Sequence, residues 1–194
     1  MRKQILLILF AINLTSNGFS QDTTKANNVN IWVDLGVGAY RNTNFFRVGT
    51  AAWMNVSHKN TLFKFRYEYM DEAIPMNNRP IEFSKNYALM VGKIKGNEFV
   101  QVSATAGLGL LTGVARGEFI YSKPGFIFGT DYYEEKKINS ICLPFEFDCA
   151  FKPLPVIALG ASITGDLNPK QSTIGMLVKV GIGMYPSERE LKQQ

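Results

Sequence analysis

The chain has one histidine, His58, and two cysteines, Cys142 and Cys149, among its 194 residues. That supply is too small for a histidine–cysteine transition-metal site, and no cofactor is implied. The two cysteines fall in one expected strand at an odd spacing, so they face opposite sides and lie roughly 23 Å apart at the rise of a strand. They cannot pair with each other within that strand and read as small apolar fillers. Also missing is any apolar run of about 20 residues, which excludes a membrane-crossing helix. Strong charge is absent too. The formal net charge of +5 falls to about +3 once Arg2 and Lys3 are set aside, which says little about partners.

Those two basic residues belong to an export signal. Residues 1–20 have a basic start, an apolar run over 5–12 and a small, polar end at Gly18-Phe19-Ser20, a layout expected to be cleaved before Gln21. No cysteine lies near that cut, so a lipid-anchored N-terminus is not expected. The remainder, about 174 residues, suits one domain. It divides into a polar segment over 21–28, a barrel domain over 29–185 and a polar, charged tail over 186–194 that is expected to fray.

The dominant feature is period-two alternation in eight short segments, 29–40, 45–57, 61–70, 83–92, 99–112, 141–151, 156–164 and 173–185. In the first, Val29, Ile31, Val33, Leu35, Val37 and Ala39 oppose Asn30, Trp32, Asp34, Gly36, Gly38 and Tyr40. The third interleaves Phe63, Phe65, Tyr67 and Tyr69 with Lys64, Arg66 and Glu68. In the fourth, Lys85 shares the apolar face with Phe83, Tyr87, Leu89 and Val91 and is expected to snorkel. Pro144 in the sixth removes a ladder hydrogen bond and is expected to mark a bulge. Connections after strands two, four and six are tight; those after three, five and seven are longer. This alternation predicts an all-β chain folded as an eight-stranded antiparallel up-and-down transmembrane β-barrel, with its long loops outside.

The same alternation would also serve a soluble lipocalin-like periplasmic carrier with its apolar face turned inward. The polar face decides between them. It is crowded with Gly, Ala, Ser and Thr, which suit a narrow lumen and would make a poor solvated exterior. Its charges nearly balance: Arg47, Lys64, Arg66 and Lys179 against Asp34, Glu68, Glu146 and Asp148. A lysine or arginine at the lipid midplane costs about 2–4 kcal/mol, so Lys64 and Arg66 must face the lumen if their strand spans. Mutual pairing relieves the cost of walling in such charges. Eight strands leave a lumen about wide enough for side chains to fill, and Trp32, Trp53, Arg47 and Arg66 are expected to plug it.

The export signal, the eight alternating strands, the inner charge cluster and aromatics near strand ends (Tyr40, Phe45, Tyr69, Phe99, Phe151, Tyr185) together resemble the small eight-stranded outer-membrane β-barrel family, with the layout of the OmpA transmembrane domain and OmpX-like proteins. The resemblance spans nearly the whole chain after the signal and implies the outer membrane of a Gram-negative bacterium, with outer-membrane lipids as surroundings. The stretch from Lys179 to Tyr185 is similar to the C-terminal strand signal read by the barrel-insertion machinery, although nine residues follow it here. Gln21-Asp22 after the Gly-Phe-Ser cut resembles exported proteins of the Bacteroidota.

Some barrels of this size act on lipid A or phospholipids, so a lipid-modifying enzyme is the sharpest catalytic alternative. The His-x-Ser-Asn pattern of a lipid A deacylase is missing, since His58 is followed by Lys59, Asn60 and Thr61 in a short inner turn. Glu146 and Asp148 have the spacing of an acid–base pair on one strand face, but neutralising the lumen cations is their expected role. The basic-aromatic run over 63–69 points its basic and aromatic residues to opposite faces, so it makes no nucleic-acid platform. The chain reads as non-enzymatic, with a structural, surface-contact or envelope-complex role.

The long connection after strand five carries Phe119, Tyr121, Phe126, Phe128, Tyr132 and Tyr133. Its sequence predicts a hairpin with a Pro124-Gly125 turn that extends strands five and six above the membrane. These aromatics either cap the barrel mouth or offer an edge or patch to an envelope protein partner.

Overall fold

The computed structural model describes residues 29–42, 46–72, 78–124, 129–187 and 191. The expected export signal over 1–20 and the segment over 21–28 lie outside the described residues, as do Phe45, Phe126 and Phe128.

Eight strands follow one another: β1 (Val29–Asn42), β2 (Phe46–His58), β3 (Thr61–Glu72), β4 (Phe83–Gly96), β5 (Val100–Lys123), β6 (Thr130–Leu154), β7 (Ile157–Leu167) and β8 (Thr173–Gly183). Each pairs antiparallel with its sequence neighbour, and β8 returns to pair with β1 from Trp32↔Gly183 to Asn42↔Thr173, closing the ring. Closure leaves no open sheet edge, which is what allows strands to cross hydrocarbon.

The strands turn their apolar sides out. On β3, Phe63 and Phe65 are 54% and 43% exposed while Lys64 and Arg66 between them are 3% and 0% exposed. On β1 and β8 the same holds for Val33, Leu35, Val37, Met176, Val178 and Val180, all exposed. A continuous apolar belt around a core of charges is the inverse of a water-soluble carrier, and it fits acyl chains. The inside is packed to close contact. A side chain at Gly36 would come within 2.9 Å of the Trp53 ring, so glycine there makes room for the indole.

Three local expectations need correction. Pro144 marks no bulge: the β5–β6 register is the same on either side of it, Ala106↔Phe145 and Gly109↔Cys142, and the ladder merely skips two pairs. Proline lacks the N–H for one ladder bond, but its extended backbone fits the strand. The actual register shifts lie higher, between Arg116 and Phe119 and between Phe119 and Tyr121, where β5 has left the belt.

The eighth strand ends at Gly183 instead of reaching Tyr185. Gly183 has φ 146°, a backbone that a side chain rarely adopts, and β8 leaves the ladder there. Tyr185 then swings into the lumen, packs tilted against Trp32 with ring centroids 5.2 Å apart, and donates its hydroxyl to Asp34 Oδ1 at 3.1 Å. The tail beyond is not wholly frayed. Pro186 is buried and accepts a 3.0 Å hydrogen bond from Lys152 Nζ, and Leu191 is buried against Trp32, Leu62, Ile94 and Ala158. These apolar side chains line the inner end of the lumen, where a single leucine in a polar tail finds apolar cover.

Candidate functional site

Two regions carry side chains beyond what the wall requires: the lumen and the outer mouth.

In the lumen, inward positions of β1, β3, β6, β7 and β8 converge on one ionic cluster. Lys64 from β3 donates to Glu146 Oε1 of β6 at 2.8 Å and pairs with Asp148. Lys179 from β8 also pairs with Asp148, and reaches Glu146 at 3.4 Å and Asp34 at 3.9 Å. Its ammonium lies 4.8 Å over the Trp53 ring. Arg66 binds Asp166 Oδ1 at 2.6 Å, lies 3.4 Å from Glu68 and 3.7 Å from Glu146, and bonds Thr164. Trp53 donates its indole N–H to Glu146 Oε2 at 2.8 Å. Of the eight charges singled out in the sequence, Asp34, Lys64, Arg66, Glu68, Glu146, Asp148 and Lys179 meet in this cluster.

Arg47 forms a separate pair nearer the outer end, with Glu82 Oε2 at 2.9 Å and Ser84 Oγ at 3.1 Å. Glu82 and Asp166 are additional lumen carboxylates. Each lies in phase with the inward positions of its strand but outside the segment where apolar alternation drew the strand ends, 83–92 and 156–164. Extending the polar parity by one step would have found both. Between the charges, a cavity of about 10 Å³ is lined by Asp34, Asn55, Lys64, Asp148, Lys179 and Tyr185, among others. That holds about one water.

A nucleophile and base are not assembled from the sequence candidates. Ser57 is fully buried while His58 is exposed, since adjacent strand residues point to opposite faces. Glu146 and Asp148 are spent on Lys64 and Lys179.

At the outer mouth, β5 and β6 continue past the belt as the expected hairpin, although its turn residue Gly125 lies outside the described residues. Its aromatics pair across the ribbon. Tyr121 stacks on Tyr132 at 4.6 Å, and Phe119 meets Tyr133 edge-on at 5.7 Å. Phe119 and Tyr121 remain half exposed. The segment before β4 is stitched to this hairpin. Arg79 N–H donates to Asp131 O at 2.8 Å, and Tyr133 N–H donates to Arg79 O at 2.7 Å. Arg116 completes the clamp. Its N–H donates to Glu82 Oε1 at 2.7 Å and its Nε to Pro80 O at 3.0 Å, while its guanidinium pairs with Glu72 and lies 5.7 Å from the Tyr133 ring. No sequence signal pointed to Arg116, whose partners come from other strands. Under the hairpin lies a vestibule of about 740 Å³ bounded by Asn42, Glu82, Arg116, Tyr133, Lys137 and Lys170, among others.

No protein-family model matches the chain, and no curated protein matches it. Solved structures do. Ail, the attachment invasion locus protein of Yersinia pestis, solved alone and with the heparin analogue sucrose octasulfate, aligns at 10% identity over 80% of this chain and 97% of its own, with a TM-score of 0.54. The N-terminal β-barrel domain of Pseudomonas aeruginosa OprF aligns at 10% identity over 79% and 97%, with a TM-score of 0.53. Neisserial surface protein A aligns at 12% identity over 82% and 99%, with a TM-score of 0.54. At such identities the likeness is one of fold, and it agrees with the lipid-facing belt and buried charges found here: the chain is a small eight-stranded barrel of the outer-membrane type.

Proposed function

We propose that this barrel is a non-enzymatic protein of a Gram-negative outer membrane, closed to diffusion, that works by surface contact through its outer platform. The observation that carries this reading is the contrast between its two ends of investment. Across the middle of the lumen Trp53, Arg66, Glu146, Lys64 and Lys179 stand in mutual contact, and the cavity among the charges has space for about one water. The longest strands of the chain, meanwhile, extend beyond the belt into a hairpin braced by Arg79 and Arg116. A braced hairpin with half-exposed Phe119 and Tyr121 suits an envelope protein partner; Phe126 and Phe128 of the same loop belong to this proposed contact. Outer-membrane lipids surround the belt, and the stretch from Lys179 to Tyr185 is the segment for the barrel-insertion machinery to read.

The test has two arms. Purified barrel in planar bilayers is expected to give no steady conductance steps; stable open pores would remove the closed lumen. Pull-down from native membranes is expected to recover a partner with the wild type and to lose it with Phe119→Ala/Tyr121→Ala, while the lipid A and phospholipid profile of a deletion strain stays unchanged. An altered lipid profile restored by the gene would replace this reading with a lipid-modifying enzyme.

A further inference from the structure

We infer that the inner rim of the barrel over β2–β4 binds an anionic phospholipid of the inner leaflet, its headgroup on Lys59, Lys93 and Lys95 and an acyl chain in the apolar groove beside them. The site is independent of the outer platform and rests on the short turns facing the inner side of the membrane.

Strand parity points these cations at the lipid side of the wall. On β4, Leu89, Val91, Lys93 and Lys95 share the exposed face, while Ile94 between the two lysines is fully buried. Lys93 is in register with Thr61 of β3, and Thr61 is paired with His58 of β2. Lys95 lies two residues further toward the inner end, paired with Val102 of β5. Lys59 is exposed in the β2–β3 turn, where its φ is 54°.

No carboxylate answers this charge. The ion pairs of the described residues lie in the lumen, at the outer mouth or on the hairpin, so among those residues none of the three lysines has an acidic partner within 4 Å. Of the turns that follow β2, β4 and β6, only the one after β4 carries a carboxylate, Glu98. The Lys93 ammonium donates instead to two neutral oxygens, Asn60 Oδ1 and Thr61 Oγ1, each at 3.3 Å. An ammonium has three donors, so one remains for a ligand. Ile94 N–H donates to Asn60 O at 3.0 Å and ties the β2–β3 turn to β4. Lys59 and Lys93 are thus carried on joined backbone, which cuts the ordering cost of binding.

The next outward rows toward the middle of the membrane are apolar. Phe63 pairs with Val56 and Val91, and Phe65 pairs with Met54 and Leu89. These six side chains line an open groove of about 440 Å³ on the lipid face. Because groove and lysines follow one another along the same strands, a phosphate held at the rim lays its acyl chain into the groove. A soluble anion would leave that groove unused. Headgroup charge sets the preference among lipids. Phosphatidylcholine brings its own ammonium beside the phosphate, whereas a headgroup with net negative charge meets three unanswered lysines. Each lysine near an anionic lipid surface is worth about fivefold in affinity.

The test uses the full chain after signal removal, folded in neutral detergent and titrated by native mass spectrometry. The probes are phosphatidylglycerol, phosphatidylcholine with the same acyl chains, and glycerol phosphate as a headgroup without chains. The first phosphatidylglycerol is expected to bind at least tenfold more tightly than the first phosphatidylcholine, and glycerol phosphate to bind far more weakly than either. Lys59→Gln/Lys93→Gln/Lys95→Gln is expected to bring the two lipids within twofold of each other, with heat-modifiable gel migration unchanged, and the matching triple arginine variant to keep the preference. Val91→Trp fills the groove without touching a charge and is expected to weaken phosphatidylglycerol at least fivefold. Lys85→Gln, outward-facing at the other end of β4, is expected to leave binding within twofold. The inference is overturned if the wild type, which needs no variant to test, shows no preference between the lipids. It is equally overturned if the preference survives the triple glutamine variant, if Lys85→Gln removes as much, if Val91→Trp changes nothing, or if glycerol phosphate binds as tightly as lipid. A dimer that excludes lipid and is lost in Val91→Trp would give the groove to a second copy and overturn it too. None of these failures touches the surface-contact reading, which is read at the opposite end through Phe119→Ala/Tyr121→Ala.

Discussion

Trp53 on β2 and Glu146 on β6 stand on opposite walls of the barrel and are joined across the lumen by a 2.8 Å hydrogen bond. Glu146 also takes Lys64 at 2.8 Å, Lys179 at 3.4 Å and Arg66 at 3.7 Å, so it is the point through which three walls are tied. Replacing it by alanine leaves buried cations with fewer partners. Loss of one member of such a buried pair costs about 3–5 kcal/mol. Trp53→Phe keeps the ring and gives up one bond to a charged group, about 1.5–3 kcal/mol. Urea-driven unfolding from phosphatidylcholine vesicles is expected to place Glu146→Ala below Trp53→Phe. The reverse order would show that the indole packing, and not the ionic node, holds the lumen together.

The lipid-facing belt gives a depth-dependent expectation. Val178 is paired with Val37 and Ala161 near the middle of β8 and is exposed. Arginine there is expected to cost about 2–4 kcal/mol, because the charge meets hydrocarbon. Val29, paired with His58 at the inner end of β1, lies where the cost falls to about 0–1 kcal/mol. Folding equilibria of Val178→Arg and Val29→Arg in the same vesicles measure the difference; equal costs would mean that the belt does not lie across the bilayer as described.

Much of this was legible because a strand has a period of two and lipid tolerates no exposed charge. The alternation of Phe63-Lys64-Phe65-Arg66 sets which side faces acyl chains, and parity then carries Asp34, Arg47, Glu146 and Lys179 inward. The strand ends were less legible. Apolar alternation stops where the belt stops, whereas the lumen face continues, so Glu82 and Asp166 fell outside the segments that the apolar pattern marks. Above the belt, β5 and β6 are no longer selected by lipid, and the bracing by Arg116 depends on partners from the β3–β4 segment that no local pattern announces.

A tight lumen also predicts intolerance of small additions. Gly36 stands 2.9 Å, measured from where its Cβ would be, from both the Trp53 ring and the Val178 carbonyl. Gly36→Val must push the indole away from Glu146 and Lys179 or distort the β1–β8 ladder. Overpacking of this kind costs about 1–3 kcal/mol. Near-ultraviolet circular dichroism is expected to lose part of its tryptophan signal in this variant; an unchanged spectrum and stability would show that the lumen has slack near Trp53.

The inner end offers the last expectation. Trp32 is covered by Tyr185 and by Leu191, which returns from the tail to the cluster with Leu62 and Ile94. If that contact closes the inner mouth, removing residues 186–194 uncovers the Trp32 ring without disturbing the belt, because β8 ends at Gly183. Trp53→Phe leaves Trp32 as the one indole, since the chain has two tryptophans. In that background, tail removal is expected to raise quenching of Trp32 by aqueous iodide, and Leu191→Asp to do so in part. Gel migration of the folded form should not change. Quenching that stays constant on removal of the whole tail would mean that Tyr185 alone seals this end, and that Leu191 rests on a mouth already closed.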